Sequence, residues 1–149
     1  MKLKTAAAAL PLLVLTLAPV SGATKGSDRS VDFPIAPAME DKNLQEILPA
    51  GVKYFFADQP AVAEKELGHI YSHRKSPVIY IGPEKSCRRA FISGLVALGE
   101  SAKAQGGNAV IGIQSNYDGQ VLTSRDRFRC GVGMRLVGVG LTGKAAVVP

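Results

Sequence analysis

Cys87, Ala90, Phe91, Gly94, Leu95, Leu98 and Ala102 recur at the three- and four-residue spacing of one helix face. Arg88, Arg89, Glu100 and Lys103 fall mostly away from that stripe, so the segment has one apolar side to bury and one to leave in water. Gly82-Pro83-Glu84 supplies a start, because proline is tolerated in the first turn and an acid is favourable beside the positive end of the helix dipole. Ser86 is a rival N-cap. Gly106-Gly107 supplies the end, since glycine accepts the positive φ of a C-cap. The spacing predicts a helix from Gly82 to about Gln105, and such a helix needs an apolar layer beneath it.

Flanking segments rich in β-formers supply that layer. Val52–Phe56 reads as a strand broken by Asp58-Gln59-Pro60, and Leu67–His73 as a second. Arg74-Lys75-Ser76-Pro77 reads as a turn and Val78–Ile81 as a short extended piece. After the helix, Ala109, Ile111, Ile113, Ser115 and Tyr117 share one face of a buried strand. Asp118-Gly119 turns the chain, and residues 120–126 form a polar loop. Phe128, Cys130, Val132 and Met134 then share a face opposite Arg127, Arg129 and Arg135. A change of parity at Val137, Val139 and Leu141 predicts a bulge near Gly131–Gly133 or Gly138. Upstream, Glu40–Leu48 is a short helix closed by Pro49-Ala50-Gly51, and residues 24–39, with Pro34 and Pro37, are an extended arm. The expectation is a single α+β domain over residues 40–149: one long helix packed on an antiparallel sheet of about four strands, plus a short N-terminal helix.

Residues 1–23 read as an export signal. Lys2 and Lys4 precede an apolar run from Ala6 to Val20, and Ser21-Gly22-Ala23 places small residues at −3 and −1 of a cleavage site after Ala23. The run is about 15 residues, short of the roughly 20 that span a bilayer as a helix. The expected product is periplasmic or secreted and does not span a membrane, and no cysteine sits near the cut to take a lipid anchor. In an oxidising compartment Cys87 and Cys130, the only two cysteines, pair. Both lie on faces turned toward the helix–sheet junction. Closing the loop between them stabilises the fold by roughly 4 kcal/mol in the chain-entropy account.

The residues that could carry chemistry do not assemble into a known constellation. The formal net charge is +6, two units of it from Lys2 and Lys4; this suits adhesion to an anionic envelope surface and falls short of a nucleic-acid-binding signature. Gly138 to Lys144 matches the spacing of a phosphate-cradling loop. Ala145 stands where a magnesium-holding Ser or Thr is needed, however, and only five residues follow Lys144, so no nucleotide site is expected. His69 and His73 are the candidate metal ligands. On a strand they lie about 13 Å apart, too far to share an ion, and they converge only if the segment is a turn. Glu64 and Glu66, with Asp58 nearby, have nothing to fix them as an acid–base pair. No G-x-S-x-G is present. Arg125, Arg127 and Arg129 form a basic row, with Arg88 and Arg89 on the helix, as a candidate surface for phosphate or an acidic glycan; the alternative is a charged edge that keeps the chain soluble. No cofactor is expected.

The run from Ser86 through Gly106-Gly107-Asn108-Ala109-Val110 to Tyr117 is similar to small exported bacterial proteins, many of which carry the label "excinuclease ATPase subunit". Tyr54–Pro60, Phe128–Gly133 and Val137–Gly143 look like their first and closing strands. The defective phosphate loop gives that label no support, and an exported protein would not serve DNA repair. More distantly, the helix, the Asn-Ala-Val strand and the helix-to-strand cysteine pair resemble the YbjQ-like superfamily, which includes the Rcs-pathway sensor lipoprotein and proteins named as heavy-metal binders. The resemblance implies an α+β fold and an envelope role, although this chain has no lipid-anchor cysteine and lacks that sensor's second disulfide. It implies no catalytic residue. The expected function is a non-enzymatic, exported binding or sensor-like domain with an envelope protein or anionic surface as partner. The alternative is a metal-binding module built on His69 and His73.

Overall fold

A computed structural model describes residues 29–149. The export signal and cleavage site expected over residues 1–23 lie outside the described residues. The chain order is β1 (Arg29–Pro34), α1 (Ala36–Met39), α2 (Lys42–Gln45), β2 (Lys53–Phe56), β3 (Lys65–Pro77), α3 (Gly82–Ala104), β4 (Ala109–Tyr117), β5 (Gln120–Leu122), β6 (Arg127–Val132) and β7 (Leu136–Val147).

The long helix stands where its stripe places it. Every stripe residue from Cys87 to Ala102 is buried, and α3 lies chiefly on β3 and β7. Gly94 lets it settle, because a Cβ there would sit 3.0 Å from Leu141 of β7. Gly106 N–H donates to Lys103 O and Gly107 N–H to Ala102 O (2.9 and 2.8 Å), with Gly106 at φ +83°, which closes the helix as a Schellman motif. Ser86 does not cap the helix. Its buried hydroxyl reaches Pro77 O and Gly82 O (2.7 and 2.8 Å), fastening the first turn to the end of β3. Phe91 anchors the core, stacked on Phe128 at 4.3 Å between ring centres and on Phe56 at 6.0 Å.

Beneath the helix is one curled, mixed sheet of seven strands, not an antiparallel sheet of about four. β7 is its spine. β3 pairs with it along its whole length, while β6 takes the other side at Val137 and Gly138 and β4 takes it from Leu141 to Ala146. β6 carries β1; β4 carries β5 and, in parallel, β2.

The surplus strands come from segments whose local signals point elsewhere. Residues 29–34, within the stretch read as an arm, form β1; Pro34 closes the strand, where a missing N–H costs little. β3 runs straight through Arg74-Lys75-Ser76-Pro77. It pairs on one side only, and charged side chains and a terminal proline are what such an edge tolerates. Val78–Ile81 is the turn instead, with Tyr80 at φ +75°. Asp118 and Gly119, both at positive φ, make the tight hairpin that brings β5 against β4.

The parity change after Cys130 marks a chain reversal. Gly133 N–H donates to Leu136 O (3.0 Å), and Met134, expected on the buried face, points into solvent. The bulge lies in β4, where Gly112 at φ +62° turns the strand so that Val110, Ile113 and Ser115 are buried together.

Candidate functional site

Cys87 in the first turns of α3 and Cys130 in β6 form a disulfide with their Cα atoms 6.0 Å apart, both side chains fully buried. Its position has a mechanical reason. β6 meets β7 through two residue pairs only, because the end of β4 wedges between them and Ser115 Oγ accepts the Arg129 N–H (2.9 Å). The wing made of β1 and β6 is therefore weakly laddered to the rest of the sheet, and the sulfur bridge ties it to the helix.

With α3 on one face, the other face of β3, β7 and β4 is open. His69, Tyr71, His73 and Lys75 stand in a row along β3, all exposed, facing Lys144, Thr142, Gly140 and Gly138 of β7. Tyr117 folds over the middle of this face, with its ring stacked on His73 at 5.9 Å. A Cβ at Gly131 or Gly138 would lie 2.1 or 2.7 Å from that ring, and one at Gly140 would lie 2.1 Å from the Asn116 carbonyl. Gly138, the first glycine of the phosphate-loop pattern, and Gly140 within it are thus the floor on which the end of β4 crosses β7, while Gly143 lies against Val110 and Ile113. The sequence does carry a signal for this, since Gly138 and Gly140 alternate with the buried Val137, Val139 and Leu141.

At the far end of the row a cleft of about 380 Å³ opens over the Gly112 bulge, walled by His69, Gln114, Thr142 and the Glu66–Lys144 ion pair (2.9 Å). Lys144, the lysine of the phosphate-loop pattern, lies within paired strand beside that carboxylate, so neither a helix N-terminus nor unpaired backbone N–H groups await a phosphate. His69 and His73 are on one face of a strand, the arrangement that holds them about 13 Å apart. Among the described residues no group of three or more His, Cys, Asp or Glu could hold a metal ion.

The arginines do not form one patch. Arg125 precedes β6 and donates to the Asp58 carboxylate (2.6 Å) and carbonyl (3.2 Å). Arg129 grips Asp32 of β1 through two hydrogen bonds (2.8 and 3.0 Å), and Arg127 donates to the Asp32 carbonyl (2.9 Å). Hydrogen bonding from Arg129 holds the Asp32 carboxyl below its usual range, and Arg125 does the same to Asp58. Arg88 pairs with Glu84 one turn earlier on α3, and Arg89 is exposed. Four of these five cations thus fasten the β1–β6 wing, the loop before it and the helix start. Glu64 N–H donates to Val147 O (2.8 Å), and the Glu66 carboxylate accepts from Lys144.

No family model, curated protein or solved structure matches the chain. Among the described residues no helix is long and apolar enough to cross a membrane, and no buried side-chain nitrogen or oxygen lacks a partner.

Proposed function

We propose that the chain is an exported binding domain, periplasmic or secreted, that acts through the open face of its sheet on an envelope protein or an anionic envelope surface. The observation that carries this reading is the buried Cys87–Cys130 disulfide, which belongs to an oxidising compartment and uses every cysteine in the chain. The signal-like pattern of residues 1–23 agrees with it, as does the resemblance of Ser86–Tyr117 to small exported proteins and, further off, to the YbjQ-like superfamily. The exposed row of His69, Tyr71, His73 and Lys75 gives the face aromatic and basic side chains suited to recognition.

Cell fractionation with N-terminal sequencing tests the reading. The expected product begins at Thr24 and is found in the envelope, periplasm or medium. An intact leader on a protein that stays in the cytoplasm would contradict it.

A further inference from the structure

The end of the molecule at the start of β7 carries an unusual set of side chains. Val78 N–H donates to Arg135 O (2.9 Å), so the β3–α3 turn and the β6–β7 hairpin lie side by side. Ile79 and Tyr80 project from the first, Met134 and Leu136 from the second. Tyr80 and Met134 are 101% and 99% exposed, as bare as in an unfolded chain. The remaining large exposed apolar groups, such as Ile47, Val62 and Val121, are scattered singly, which needs no explanation. Here four gather at one tip.

Cations surround them. Lys75 and Arg135 line a cleft of about 210 Å³ between Tyr117 and the Met134–Leu136 segment, directly behind the tip. Lys85 and Arg89 lie in the first turns of α3. None of these four forms an ion pair among the described residues, whereas Glu84, the acid beside them, is held by Arg88.

We infer that this tip docks on an anionic lipid bilayer, with Ile79, Tyr80, Met134 and Leu136 entering the interface and Lys75 and Arg135 receiving lipid phosphate in the cleft between them. The charge belongs with that partner: an apolar tip ringed by unpaired cations complements a surface that is greasy within and negative at its headgroups. Shape supports it too, since side chains projecting from two turns enter a fluid interface without needing matching pockets. A tyrosine there is at home at headgroup depth. The inference deepens the envelope reading and rests on it.

The chain has no tryptophan, so Tyr80→Trp supplies a single reporter in the protein as cells export it. With vesicles of phosphatidylcholine and phosphatidylglycerol in equal parts, its emission should shift to the blue and be quenched by brominated acyl chains. Val62→Trp, in the loop that precedes β3 at the opposite end of the β3–β7 pair, should do neither. Replacing Lys75 or Arg135 by Gln should weaken vesicle binding about fivefold each. Three results overturn the inference: no lipid-dependent shift at Tyr80→Trp, an equal shift at Val62→Trp, or a shift without lipid that grows with protein concentration, which would place a second copy on the tip. If the exported, disulfide-bonded protein ignores the vesicles, the tip is lost and the binding-domain reading stands. Retention in the cytoplasm with free thiols removes that reading whatever the vesicles show.

Discussion

Single residues govern this fold through contact and through charge. Cys130→Ser should lower stability by about 4 kcal/mol, as much as reductant lowers that of the native protein, and reductant should do nothing further to the variant. Equal melting of oxidised and reduced native chains would refute this. Gly140 is a sharper case, because its neighbour is the backbone carbonyl of Asn116 and not a side chain that can swing aside. Gly140→Ala should cost about 3 kcal/mol in denaturant unfolding, at the upper end for overpacking, with little change in the slope of the transition. Tyr54 gives a pH signature. Its hydroxyl donates to Leu95 O (3.1 Å), and burial, aided by Glu100, pushes its pKa up to about 12. The neutral phenol is favoured by the fold, so its contribution is fully present below pH 10 and is lost as pH rises toward 12. Tyr54→Phe should flatten that alkaline decline, at a cost of about 1 kcal/mol near neutrality. An unchanged alkaline slope in the variant would count against the assignment.

At the scale of elements, the covalent tie and the ladder divide the work. The β1–β6 wing is joined to β7 by two residue pairs, and β3 is joined to it by twelve. Reduction should therefore raise hydrogen exchange at Val31, Phe33 and Phe128 before that at the β3–β7 amides; uniform release would show that the wing does not depend on the bridge. The same contrast explains what could be read from sequence. The long helix, its Gly-Gly stop and its cysteine were legible because a stripe of seven residues and a C-cap are strictly local signals. β1, β5 and the last four residues of β3 were not. Pro34 at a strand end, a three-residue β5 and Arg74-Lys75 on an edge strand are all set by a distant partner, and a window of sequence does not contain that partner. Gly112 illustrates the point. One positive-φ residue reversed the parity of β4, and an alternation count that ran through it assigned the wrong face to Ile111.

For the molecule as a whole, helix and disulfide close one side of the sheet and leave the other open, with the tip beside it. The candidate site was legible in part. His69 and His73 stand out in the sequence, and their place on a strand separates them. The alternation of Gly138 and Gly140 with buried residues was visible, but the placing of Tyr117 over them was hidden, because it depends on β4 crossing β7. Every step toward function passes through the redox state of two sulfurs. The most direct measurement is the mass of the protein taken from living cells, denatured in the presence of maleimide, with and without prior reduction. The expected result is no added mass until reductant is supplied and two adducts after it. Two adducts without reductant would mean that the bridge does not form where this protein lives, and the exported, stapled domain would have to be abandoned.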